Sequence, residues 1–132
     1  MKKILIVEDD FTSRLLLQEL LKDYGPSHTA VNGKEAIEAV RLALEAGEAY
    51  DLICLDIMMP EMDGQEALKE IRTLEEAREI ISSNRAKILM TTAHADKVNV
   101  IKAREQQCDF FLVKPIQRAK LIEVLRQLKL NP

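Results

Sequence analysis

At 132 residues the chain is long enough for one domain with a substantial core. Apolar residues make up 47% and charged residues 31%, which is ordinary for a soluble globular protein. The net charge of −3, with Lys and Arg scattered along the chain, leaves no basic field to hold nucleic acid or anionic lipid.

Residues 4–7, Ile-Leu-Ile-Val, read as a short buried strand, too short for a signal core or a membrane span. Residues 12–23 carry Leu16/Leu20 and Leu17/Leu21 at helical spacing, and Gly25-Pro26 stops that helix. Residues 28–31 are a weak strand candidate. Asn32-Gly33 is a turn, and 34–46 is a helix with Ile37, Val40 and Leu44 on one face. Residues 51–56 form an apolar strand that closes on a charge, Asp56.

After Gly64, Leu68, Ile71 and Leu74 mark a third helix. It runs long into 75–87 before a polar loop. Ile88-Leu89-Met90 is a fourth strand, 96–105 a fourth helix and Phe110–Val113 a fifth strand. Leu121, Leu125 and Leu128 give the fifth helix. Five strands alternating with five helices predict a doubly wound α/β fold, with a parallel sheet covered on both faces. There is no linker, repeat or low-complexity stretch, so residues 1–132 read as one domain. Cys54 and Cys108 have no partners at metal-ligand spacing, and two thiols do not make a disulfide framework. They suit a reducing, cytoplasmic setting.

In an open α/β sheet, ligands bind outside the carboxyl ends of the strands. Here those ends carry chemistry. The first strand runs into Glu8-Asp9-Asp10 and the third ends in Asp56. Crowded carboxylates raise one another's pKa unless a cation intervenes. Mg²⁺ suits such a cluster, because it takes oxygen ligands and keeps waters or phosphate oxygens in its shell. Asp10 alone reads equally well as a helix N-cap. The fourth strand ends in Thr91-Thr92-Ala93, which offers a hydroxyl beside a small residue. The fifth ends in Lys114-Pro115, which offers an ammonium and a candidate cis peptide. Taken singly, such a Thr is a turn residue and such a Lys a surface charge. Together they describe a site that places Mg²⁺ and a phosphoryl group on a carboxylate.

These segments resemble the receiver domain of two-component response regulators, in its single-domain, chemotaxis-regulator-like form. The matching pieces are Ile4–Asp10, Asp56-Ile-Met-Met-Pro-Glu-Met-Asp-Gly64, Thr91-Thr92-Ala93 and Lys114-Pro115. The likeness covers essentially the whole chain. It implies the flavodoxin-like five-stranded sheet, order 2-1-3-4-5. It implies Asp56 as the phosphoacceptor, attacking the phosphohistidine of a sensor histidine kinase or a histidine phosphotransfer protein. It implies direct Mg²⁺ ligation by Asp10, support from Asp9 through water, and further ligands in Asp56 and the Met58 backbone carbonyl, with Mn²⁺ as an alternative ion. Lys114 would pair with a phosphoryl oxygen. Thr92 would move to hydrogen-bond the phosphate, and Phe111 would occupy an aromatic switch position.

Phe111 stands where the family often has Tyr, so packing alone would decide its rotamer; simple core is the other reading of it. Met58 and His94 lie two residues after Asp56 and Thr92, at positions that tune acyl-phosphate lifetime in the family, or they are plain surface residues. The implied output is binding of a downstream effector protein through the fourth helix, fifth strand and fifth helix, by a monomer or a phosphorylation-dependent homodimer. Direct nucleic-acid and membrane binding are not expected. The start at Met1 and the short tail favour a stand-alone regulator.

Two rivals share parts of the pattern. A haloacid-dehalogenase-type phosphatase also uses an Asp nucleophile and Mg²⁺, but wants a second Asp where this chain has Met58. A pseudo-receiver would keep the fold as an interaction module without phosphorylation. The intact acids, Thr92 and Lys114 argue against it. Neither the receiver nor the pseudo-receiver reading is an enzyme in the sense of turning over a substrate.

Overall fold

A computed structural model describes residues 2–59, 61–80, 84–93, 102, 104 and 107–132. Five strands form one parallel sheet: β1 (Ile4–Val7), β2 (Ser27–Ala30), β3 (Leu52–Asp56), β4 (Lys87–Thr92) and β5 (Phe110–Val113). Their order is β2-β1-β3-β4-β5, with every pairing parallel. This is the predicted order 2-1-3-4-5. Four helices are seen among the described residues: α1 (Phe11–Leu21), α2 (Gly33–Glu45), α3 (Gly64–Ala77) and α4 (Arg118–Gln127). The helix expected at 96–105 lies outside the described residues, except that Lys102 and Arg104 are helical.

Strand periodicity divides the core in two. Successive side chains of a strand point to opposite faces. Leu5, Val7, Ile53, Leu55, Ile88 and Met90 join one cluster, under α2 and α3. Ile4, Ile6, Leu52, Cys54, Leu89 and Leu112 join the other, under α1 and α4. Helices therefore cover both faces, and β1 and β3 are buried along their whole length.

Three helices start on a side-chain cap. The carboxylate or amide oxygen of Asp10, Asn32 and Asp63 accepts from the backbone N–H three residues on. The helical faces differ in detail from the sequence expectation. On α1, Leu17, Leu20 and Leu21 are buried, but Leu16 is 42% exposed. On α2 the buried stripe is Ala36, Val40 and Ala43, and Ile37 and Leu44 are only partly buried beside it. Small residues let that helix lie close to the sheet, which pushes its larger side chains to the flanks. Helix α3 ends at Ala77, early in the 75–87 stretch expected to lengthen it. Arg78 and Glu79 donate their backbone N–H groups to Glu75 and Glu76, and Glu79 takes a positive φ of 58°.

Candidate functional site

The sheet register lines up the strand ends. Val7 pairs with Leu55, so Glu8 follows directly beside Asp56. Asp56 pairs with Thr91, and Thr92 with Val113, so Lys114 emerges next. The Lys114 N–H donates to the Thr92 carbonyl at 2.7 Å, and the Ile57 N–H to the Thr91 carbonyl at 3.0 Å. Strand parity then selects the side chains. Ile4, Ile6 and Glu8 alternate on one strand, Leu52, Cys54 and Asp56 on another, and Leu112 and Lys114 on a third. All three series run on the face of the sheet under α1 and α4.

Three carboxylates meet there: oxygens of Glu8, Asp9 and Asp56 lie within 4.8 Å of one another. Glu8 is fully buried and Asp56 nearly so, while Asp9 reaches the surface. Lys114 Nζ lies 2.8 Å from Glu8 Oε1 and 3.5 Å from Asp56 Oδ1. Its closer partner is therefore Glu8, with Asp56 the second. Burial pushes the Asp56 carboxyl up to about 7, the adjacent Glu8 adds to the rise, and Lys114 offsets part of it. Burial draws the Lys114 ammonium downward, but Glu8 and Asp56 more than reverse this, so its pKa ends above the ordinary lysine value.

Asp10, expected among the metal ligands, is not in this trio. Its Oδ2 accepts from the Ser13 N–H at 2.9 Å, and that bond holds its carboxyl below the usual range. The first helical turn thus claims the third acid, and Glu8, which the sequence expectation left without a role, takes the inner place. The signal for Glu8 was present in the sequence. It continues the every-second-residue series of β1 in step with Asp56 on β3.

The cluster fits a hard divalent cation. Glu8 Oε2 is buried and has no hydrogen-bond partner among the described residues. A second buried anion stands beside it, with one ammonium between them. An oxygen-seeking cation would satisfy both the orphaned oxygen and the surplus charge.

The remaining expected residues are placed as follows. Thr92 is fully buried at the end of β4. Phe111 is partly buried against the α2/α3 core cluster, paired in register with Met90. Met58 is 58% exposed in the loop after Asp56. His94 lies outside the described residues. The Lys114-Pro115 peptide bond is cis, the isomer for which the sequence made it a candidate.

Gly64 closes the floor of the site. Its N–H donates to the Ile57 carbonyl at 2.9 Å. A Cβ at Gly64 would sit 2.2 Å from the Asp56 carbonyl oxygen. Only glycine lets the start of α3 approach the backbone of the acidic strand end this closely.

The family model for the response regulator receiver domain matches residues 4–126. The chain is 31% identical to the chemotaxis protein CheY of Thermotoga maritima, over 96% of each protein. It is 32% identical to hybrid signal transduction histidine kinase L of Dictyostelium discoideum, over 95% of this chain but only 7% of that protein. The receiver domain of the histidine kinase CKI1 from Arabidopsis thaliana, solved with Mg²⁺ and BeF₃⁻, superposes with a TM-score of 0.79. It is 28% identical over 97% of this chain and 89% of that one.

Proposed function

The chain belongs to the response regulator receiver domain family, and from that premise we propose that Asp56 is its phosphoacceptor. The donor is a phosphohistidine on a sensor histidine kinase or a histidine phosphotransfer protein. An Asp56 oxygen attacks phosphorus in line. The P–N bond breaks with its electron pair leaving to the imidazole, and the new P–O bond makes an aspartyl phosphate. One observation carries this reading: the joined strand ends gather Glu8, Asp9, Asp56 and the Lys114 ammonium at one spot.

Glu8, Asp9 and Asp56 would hold Mg²⁺, or Mn²⁺ in its place, with the Met58 carbonyl as a further oxygen ligand. The convergence of Glu8 and the capping bond of Asp10 favour Glu8 over Asp10 in that set. Such an ion supplies positive charge against the charge that gathers on the phosphoryl oxygens. Lys114 exchanges a carboxylate for a phosphoryl oxygen as its partner. Thr92 turns its hydroxyl to donate to the phosphate. Phe111, which has no hydroxyl, follows by packing into the space that this vacates. The change is read by an effector protein at β5, α4 and the expected helix before them. Met58 and His94 set how readily water reaches the acyl phosphate.

The charge balance gives no reason to expect direct nucleic-acid binding. No helix among the described residues is long and apolar enough to cross a membrane. A cytoplasmic setting and a monomer that pairs on phosphorylation accord with this reading.

The deciding experiment treats the chain with acetyl phosphate and Mg²⁺ and measures intact mass. One phosphoryl adduct is expected on the wild type and none on Asp56→Asn. An unmodified wild type would leave a phosphate-independent interaction module, and an undiminished adduct on the variant would move the acceptor elsewhere.

A further inference from the structure

The turn that carries the acids is held from α1. Arg14 Nη1 donates to the Glu8 carbonyl at 2.9 Å and to the Asp9 carbonyl at 3.3 Å. The Arg14 N–H donates to the Asp10 carbonyl at 3.0 Å, and the Ser13 N–H to Asp10 Oδ2 at 2.9 Å. All three consecutive carbonyls of the acidic turn therefore accept from this one residue. On the sheet side, the Glu8 N–H donates to the Ala30 carbonyl at 3.0 Å. Phe11 lies against the same guanidinium, with its ring centroid 5.6 Å from the central carbon. At 64% exposure, Phe11 is a large apolar side chain left mostly in water. A cation–π contact gives it a task there.

We propose that Arg14 is a positioning residue for the cation site, and that Phe11 braces it. The inference rests on the reading that Glu8, Asp9 and Asp56 hold Mg²⁺. Without a cation, neighbouring carboxylates repel, and the cheapest relief is for the exposed turn to swing Asp9 outward. A guanidinium bonded to the peptide oxygens on either side of the Asp9 Cα opposes that swing. It also places a positive charge behind the acids without occupying their oxygens. Groups that orient ligands in this way typically cost about 10–100-fold in metal affinity when removed. Both carbonyl bonds come from the single Nη1 nitrogen, and a lysine ammonium, a flexible and strongly hydrated point charge, would replace it only in part.

The test titrates Mg²⁺ into the full chain by calorimetry, for wild type, Glu8→Gln, Arg14→Ala, Arg14→Lys and Phe11→Leu. Thermal unfolding of each is measured without metal. The expected result is a dissociation constant about 10-fold weaker for Arg14→Ala, partial recovery in Arg14→Lys and a smaller loss in Phe11→Leu. The metal-free unfolding temperatures of Arg14→Lys and Phe11→Leu should stay near wild type, which separates positioning from general stability. If wild type binds Mg²⁺ and Glu8→Gln weakens it, but the Arg14 and Phe11 variants bind as wild type does, Arg14 does not position the site. If Arg14→Ala fails to fold, unchanged affinity in the other two variants overturns the proposal. If wild type itself binds no Mg²⁺, the underlying reading fails and the inference falls with it.

Discussion

Two groups of buried charge sit at opposite ends of the same sheet and are completed differently. At the amino ends of β4 and β5, Arg72 is 4% exposed and bonded on every side. Its guanidinium donates to Glu75 Oε1 at 2.7 Å, Asp109 Oδ2 at 2.9 Å, the Ala86 carbonyl at 2.9 Å and the Gln107 carbonyl at 3.0 Å. The two carboxylates accept in turn from the N–H groups of Ala86 and Ile88. No oxygen in this network is orphaned among the described residues. At the carboxyl ends, Glu8 keeps a buried oxygen without a partner among the described residues, and Asp56 has its pKa driven upward. Buried charge that is fully hydrogen-bonded fixes a structure. Buried charge left short is poised for something to arrive.

The contrast can be broken first at its finished end. Arg72→Ala should destabilise the chain by about 3–5 kcal/mol, because Glu75 would remain buried without a counter-charge and Asp109 would keep only Arg85, at 3.8 Å. Urea denaturation measures this, and a loss well under 1 kcal/mol would show that the network is not what holds α3 to the strand starts. Replacing all three charges together, by Met, Gln and Asn, should cost less than Arg72→Ala alone, since no orphaned charge is left.

Gly64→Ala comes next, at about 1–3 kcal/mol, with the new Cβ driven into the Asp56 carbonyl. It should also weaken Mg²⁺ binding, because the strain falls on the backbone that carries Asp56. A variant as stable as wild type would mean that α3 can withdraw without cost.

The unfinished end should show itself through pH. In the metal-free chain Asp56 is raised from an ordinary 3.8 to about 7. Between those values the folded chain keeps a proton that the unfolded chain has released. The resulting stability is complete below the lower value and lost as pH rises through the upper one. Urea midpoints of wild type should therefore fall relative to Asp56→Asn from about pH 4 to about pH 8. Parallel curves would contradict the raised carboxyl.

The smallest effect sharpens the choice among the acids. Asp10→Ala removes the α1 cap and should cost about 1 kcal/mol of stability. Its Mg²⁺ affinity should stay close to that of wild type, whereas Glu8→Gln should lose most of it. The reverse pattern in a calorimetric titration would restore Asp10 to the metal site.

Much of this was legible in the residues. Apolar runs, Gly-Pro and Asn-Gly breaks and leucine spacing gave the alternation of strands and helices. The charged strand ends gave Asp56 and Lys114. The Arg72 network was not legible, because Arg72, Ala86 and Asp109 are far apart along the chain and look like ordinary surface residues. The exposure of Leu16 was not legible either. Helical spacing defines a stripe, but only the neighbouring sheet decides how wide a stripe it covers.

The sequence by itself determined the fold class, the strand order through its family likeness, and the carboxylate at the end of β3. Those follow from local periodicity and from residue types that need no partner to be recognised. Only the tertiary structure decided which of three consecutive acids face Asp56. Glu8 turns inward, Asp9 brings an oxygen to the cluster from the surface and Asp10 caps α1, because strand parity ends, and the helix begins, within those three residues. Where one period gives way to another, the direction of each side chain is set by the neighbouring elements that hold the turn, here Ala30 on β2 and Arg14 on α1.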